Sequence, residues 1–319
     1  MGCVFSGARA CQQRPESNRE ILAFWEATVE NMSERADRRE KCHRSPERRP
    51  EIFEARQSRL MCTVSFVPNG NGFYLGMNRD ESRLRTAACP PEIHCTAGDF
   101  SIYPSEPGSG TWIGINASGL CLALINWHQV PRRAVDPVVS RGIVVRELIS
   151  ARTTEDLPGL LGDLPLKAMP PFRMISFSLR ESLVREFRWD QNRVIAVSHD
   201  WRAKHWFSSG LDEPSVERVR SNVCQEAWRE PDAGELGWLR RLHRSHLPNR
   251  GGFSICMHRD DANTVSYTEI TFSNGDGTMR YHPGSLCSDD RQFFEKSLSV
   301  VAPQNAAKLL DIPFPGEEF

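Results

Sequence analysis

Met61-Cys62 places a thiol directly after a methionine, at the head of the first alternating apolar run in the chain. If translation begins at Met61, the small residue after it lets the initiator be removed, and Cys62 becomes the N-terminal residue. Nucleophile and base then share one residue: a free α-amine has a pKa of about 8, so part of it is neutral near pH 7 and can take the thiol proton. Further along the chain stands Asn78-Arg79-Asp80-Glu81. A cation such as Arg79 favours a thiolate, and Asp80 can hold and orient an amine.

A β-hairpin must bring these groups together. Residues 62–67 alternate, 68–72 (Pro-Asn-Gly-Asn-Gly) read as a turn, and 73–78 alternate again. Pairing 67 with 73 sets Cys62 opposite Asn78, and a slip of one or two residues still delivers Arg79, Asp80 and Glu81 to the sheet end where Cys62 begins. Further strands are expected at 111–115, 120–126, 173–179, 183–189, 194–197, 253–257, 264–272 and 279–282. Helices are expected at 141–151, 155–161, 213–227 and 233–246, the third opened by Glu213-Pro214 and carrying Val216, Val219, Val223 and Ala227 on one face. Strands flanking a block of helices, without strict strand–helix alternation, predict a layered α+β domain.

The whole chain has 319 residues, with Lys+Arg 40 against Asp+Glu 41 and a net charge of -1. That balance argues against a nucleic-acid partner, and no apolar run is long enough for a transmembrane helix. No Gly-x-Gly-x-x-Gly or Walker-type loop offers a phosphate cradle. Ten cysteines without a Cys-x-x-Cys pair, behind an N-terminus lacking a signal peptide, read as reduced thiols in a cytoplasmic protein. Residues 1–60 read as a charged, disordered leader or a start-site error, with a short helix at 21–32 and a Met1-Gly2-Cys3 start that fits the loose myristoylation pattern. The working domain is expected at 61–287 and a C-terminal tail at 288–319.

Met61-Cys62, the 78–81 tetrad, Gly110-Thr111-Trp112-Ile113-Gly114 and Gly119-Leu120 with Ala123-Leu124-Ile125-Asn126, in that order, resemble the transport and Golgi organisation protein 2 family, also called the NRDE family. The resemblance implies an N-terminal-nucleophile hydrolase-like fold, a four-layer α-β-β-α sandwich. Residues 114–127 are also similar to the matching stretch of bile-salt hydrolases and penicillin V acylases. This likeness implies Cys62 as nucleophile, Arg79 and Asp80 as its activators and Asn126 as an oxyanion donor, with Asn78, Glu81 and Trp127 beside the substrate. The chemistry implied is hydrolysis of a non-peptide amide C–N bond. The alternative is a carrier without catalysis, for haem or an acyl or lipid metabolite, with Cys62 or one of His128, His199 and His205 as a ligand and no other cofactor. In the hydrolases two residues separate the Arg from the Asp; here Arg79 and Asp80 are adjacent and project to opposite faces of a continuing strand. Ser208-Ser209 stands where family members commonly read Ser-Asn, so a second amide donor is absent.

Cys256, His258, Asp260 and Asp261 lie close together in sequence. Cys256 and His258 share a face on a strand, but a metal needs at least one further ligand, and 260–263 read as a turn, so no metal is expected.

Overall fold

The computed structural model describes residues 61–96, 99–288 and 292–300. The leader, with its myristoylation-like start and 21–32 helix, lies outside the described residues. Two sheets make up the described chain. In chain order the strands are β1 (Met61–Asn69), β2 (Gly72–Ser82), β3 (Cys89–Thr96), β4 (Asp99–Ser105), β5 (Ile113–Asn116) and β6 (Leu120–Asn126). They continue as β7 (Phe172–Ser178), β8 (Leu183–Trp189), β9 (Val194–His199), β10 (Lys204–Ser209), β11 (Ala262–Ser273), β12 (Asp276–Pro283) and β13 (Phe294–Ser299). One sheet has the order β10-β1-β2-β11-β12-β13, the other β3-β4-β5-β6-β7-β8-β9. Four helices cover them: α1 (Gly142–Leu148), α2 (Leu157–Gly162), α3 (Glu213–Ala227) and α4 (Leu236–Arg244).

Alternation along β1 decides the layering. Cys62, Val64 and Phe66 join Phe73, Leu75 and Met77 of β2 against Ile113, Ile115, Cys121, Ala123, Ile175 and Phe177 of the other sheet. Phe66 lies 5.0 Å from Phe177 and 5.3 Å from Phe73, and Phe177 meets Trp206 edge-on at 5.5 Å. Each such fully buried aromatic contributes roughly 1.5–3 kcal/mol. The opposite face of the first sheet packs under α3 and α4, where Val67 and Phe207 meet Cys224, Trp238, Leu239 and Leu242. Asp212 caps α3 by accepting the Ser215 N–H at 3.3 Å. On the outer face of the second sheet, the Asn116 amide donates to the carbonyls of Ile149 and Ala151, both at 2.7 Å, and ties down the end of α1. The result is the α-β-β-α sandwich implied by the family resemblance.

Three expectations change. Residues 253–257 form no strand; they lie in an irregular segment before β11. Strand β13 pairs with β12 from Asp276–Ser299 to Tyr281–Phe294, so the sheet runs past the expected boundary at 287 into the supposed tail. The sequence pattern also does not predict β3, β4 and β10. β3 opens Cys-Pro-Pro and is largely exposed, and β10 is an edge strand, so neither shows a clear apolar alternation.

One buried ion pair network fixes the second sheet. Glu186 of β8 is fully buried and accepts from Arg173 at 2.5 Å and from Arg188 at 2.9 Å, with His199 3.0 Å away. Burial alone would raise its pKa; the hydrogen bonds from Arg188 and the charge of Arg173 outweigh it and hold the carboxyl at about 2. Glu186→Ala therefore strands the buried Arg173, and urea unfolding is expected to show a loss of about 3–5 kcal/mol.

Candidate active site

The β1–β2 hairpin closes through a two-residue turn, Gly70-Asn71, with Asn69 opposite Gly72. The register is therefore one residue off that expected. Cys62 faces Arg79 instead of Asn78, Met61 faces Asp80, and Thr63 faces Asn78. The tight turn is the physical reason, since a two-residue Gly-Asn loop matches the twist of the strands. The slip determines which groups reach the site. Cys62 and Arg79 share the face between the sheets, whereas Asn78 and the Asp80 carboxylate belong to the helix face.

Cys62 opens into a cavity of about 230 Å³ at one end of the two sheets. Arg79, Asp80, Glu81 and Arg85 border it from β2 and its exit, Leu124 and Asn126 from β6, and Glu106, Thr111 and Trp112 from the connection before β5. Arg132, Val138, Ser140 and Arg141, from the segment between β6 and α1, line the remaining side. Gly110 and Gly142 allow that side to close: a Cβ on Gly142 would stand 2.9 Å from the Gly110 Cα, and the Thr111 N–H donates to the Gly142 carbonyl at 2.8 Å.

Arg79 bridges two carboxylates, donating to Glu81 at 3.1 Å and to Glu106, while its guanidinium lies 4.4 Å over the Trp112 ring. Arg85 completes this quartet, 3.3 Å from Glu81 and 2.6 Å from Glu106. Arg132 and Arg141 have no ion pair with a carboxylate among the described residues. Burial and the neighbouring Arg132 pull the Arg141 guanidinium down to about 10.

The Cys62 thiol is pushed up to about 12, first by burial and then by the Asp80 charge, against the opposing pull of Arg79. It is a thiol at neutral pH and needs a base. Asp80 is buried and its pKa raised to about 7 by desolvation, in spite of Arg220 and a hydrogen bond from Thr264. Thr264 Oγ1 donates to Asp80 Oδ1 at 2.6 Å; Arg220 stands 3.6 Å from Oδ2, which has no hydrogen-bond partner. Oδ2 is thus an open acceptor on the residue that pairs with Met61.

Of the residues expected at the site, Cys62, Arg79, Asp80, Glu81 and Asn126 line the cavity. Asn78 does not: its amide donates to the carbonyls of His243 and Ile255 at 3.0 and 2.9 Å, and it anchors the end of α4. Trp127 follows β6 but is not part of the lining. His205 has both ring nitrogens engaged, by Ser65 at 2.8 Å and by the Trp228 N–H at 3.3 Å, and His199 turns to Glu186. No histidine is among the described lining residues. Sequence reasoning missed Arg85, Glu106 and Arg132, which lie in loops without periodic signal, and Arg141, which it placed only as the start of a helix. Ser208, named in the sequence only as part of Ser208-Ser209, stands directly opposite Cys62 on β10, with a buried hydroxyl lacking a hydrogen-bond partner.

The described chain is thus a four-layer sandwich with a cysteine near the start of its first strand, opening into a cavity between the sheets. Residues 61–221, just over half of the chain, match the family described as Transport and Golgi organisation 2, and the chain belongs to that family. No curated protein sequence is significantly similar to it. Among solved structures, a mutant of conjugated bile acid hydrolase from Clostridium perfringens is similar at 10% identity and a TM-score of 0.41, over 75% of this chain and 92% of that one. Penicillin V acylase from Agrobacterium tumefaciens is similar at 10% identity and a TM-score of 0.40, over 70% of this chain and 82% of that one. No helix among the described residues is long and apolar enough to cross a membrane.

Proposed function

We propose that the protein hydrolyses a non-peptide amide through Cys62, in a mature form whose chain begins at that residue. The observation that carries this reading is the placement of Cys62: near the start of β1, across from Arg79, at the cavity shared with Asn126 of the opposite sheet. In the mature form the Cys62 α-amine takes the thiol proton. As an ammonium it is held by the open Asp80 Oδ2. The sulfur attacks the amide carbonyl, forming an S–C bond, while the Asn126 side-chain amide and a backbone N–H donate to the oxyanion. The C–N bond breaks, the amine leaves with the proton from the ammonium, and water cleaves the thioester to release acid and thiol. Arg79, held by Glu81 and Glu106, supplies fixed positive charge beside the sulfur. Arg132 and Arg141 favour a substrate with an anionic group near its amide.

Labelling tests the reading: a β-lactone acylates one residue per mature chain, and peptide mapping places the acyl group on Cys62. A mature chain with free N-terminal Cys62 that stays unlabelled overturns it. Asn126→Ala is expected to lower the acylation rate roughly 100- to 1000-fold with intact folding, the usual effect of losing one oxyanion donor. Stopped-flow acylation under single-turnover conditions measures it. The carrier reading, with haem or an acyl or lipid metabolite bound, shares the cavity; of its described lining residues, Cys62 is the one that would hold a haem iron.

A further inference from the structure

Away from the cavity, four side chains with metal-binding chemistry converge from three separate parts of the chain. His246 follows α4, Cys256 and His258 lie in the irregular segment before β11, and Cys287 follows β12. One nitrogen or sulfur atom from each lies within 4.8 Å of all the others. His258 Nε2 is 3.5 Å from the Cys256 sulfur and 3.2 Å from the Cys287 sulfur. Zinc bonds of about 2.3 Å to sulfur and 2.0–2.1 Å to nitrogen at tetrahedral angles require ligand atoms roughly 3.3–3.8 Å apart. The two spacings therefore fall at or near tetrahedral edges before any ion draws the ligands in.

Two further observations point to a ligand. His246 Nε2 is buried without a hydrogen-bond partner, which is costly for a polar atom unless something occupies its lone pair. The rings of His246 and His258 meet at 69° with centroids 5.0 Å apart, so they converge edge to face and do not stack. Arg250 Nη2 stands 3.4 Å from His258 Nδ1. With Nε2 on a metal, Nδ1 carries the ring proton, and this exposed guanidinium swings away into solvent.

We propose that His246, Cys256, His258 and Cys287 form a structural zinc site. Two thiolates and two imidazoles make a soft, borderline donor set suited to zinc, and four protein ligands leave no open position for catalysis. The site clips the irregular segment between α4 and β11 to the chain after β12, beyond the point where the β11–β12 pairing ends at Ser266–Pro283. Its consequence reaches the cavity. Met257, between two ligands, donates its N–H to Thr264 Oγ1 at 2.9 Å, and that hydroxyl donates to Asp80 at 2.6 Å. Zinc thereby steadies the backbone that positions Asp80.

Metal analysis of the full chain, purified under reducing conditions without chelator, tests the proposal. It predicts about one zinc per chain, and cobalt(II) substitution with the thiolate charge-transfer and strong visible bands of a tetrahedral site. Cys256→Ser and Cys287→Ser each lower zinc content at least about tenfold, whereas Cys89→Ser, at an exposed cysteine elsewhere, does not. His258→Cys keeps four ligands and retains the metal, which separates ligand loss from misfolding. Zinc content near zero after loading and dialysis, or full content in Cys256→Ser, overturns the proposal. So does a Cys256–Cys287 disulfide found by mass in the reduced preparation.

Discussion

Cys62→Ala is expected to abolish covalent acylation and to lower amide hydrolysis by roughly four to six orders of magnitude, the cost of removing a nucleophile from a working catalytic unit. Cys62 lines a cavity, so the truncation only enlarges space that is already open, and the fold should be retained. Circular dichroism and the unfolding midpoint check that. Cys62→Ser is the more informative companion: it keeps the α-amine and the geometry but replaces a thiol by a far less acidic hydroxyl. It should retain some slow acylation, which alanine cannot. Equal, undiminished labelling of both variants would remove Cys62 from the chemistry.

Arg220→Met should be strongly destabilising. Arg220 is fully buried on α3, donates to Thr63 Oγ1 at 2.7 Å and is the cation nearest the Asp80 carboxylate. Removing it leaves Asp80 with a hydrogen bond from Thr264 and no counter-charge on the helix face. A loss of about 3–5 kcal/mol is expected at neutral pH. The pH dependence has a definite sign. Asp80 already titrates at about 7 in the folded chain, against 3.8 for an ordinary aspartate, so the folded state holds its proton more tightly than the unfolded state does. Stability from this group is full below the unfolded pKa and is lost as pH rises through the folded one. Without Arg220 the folded pKa rises further, so the deficit of Arg220→Met should grow from pH 5 to pH 8. Adding Asp80→Asn should recover most of it and flatten the dependence. A deficit that shrinks as pH rises would contradict this placement of charge. Urea denaturation across that range measures both.

The sequence contained most of this architecture but not its decisive register. The strand alternation at 62–67 and 73–78 and the Glu213-Pro214 helix start were readable because each follows from local sterics or period. The family resemblance, on motifs spread from Met61 to Asn126, agrees with the family match. The hairpin register was not readable to one residue, because Pro-Asn-Gly-Asn-Gly permits more than one turn. That single step moved Asn78 from the expected substrate site to the end of α4 and set Arg79 against Cys62. The concern that Arg79 and Asp80 project to opposite faces is realised in the structure: Arg79 meets Glu106 and Trp112 while the Asp80 carboxylate meets Thr264 and Arg220. Adjacency along the strand thus sends the two side chains to different neighbours, Arg79 to the cavity between the sheets and the Asp80 carboxylate to the helix face. Long-range convergence was hidden altogether. Cys256 and His258 are short of ligands in sequence because His246 and Cys287 reach them only through tertiary structure, and Ser208 and Glu106 meet Cys62 and Arg79 only through sheet pairing and loop closure.

The catalytic account depends on one chemical fact, that the nitrogen of Cys62 is an amine. An internal Cys62 would carry an amide nitrogen, which cannot take a proton from the thiol, and burial would hold that thiol near 12. Intact mass and N-terminal sequencing of the protein isolated from its own cells measure this directly. The account predicts a mature chain whose first residue is an unblocked Cys62; a protein in which Met61 remains peptide-bonded to Cys62 would contradict it.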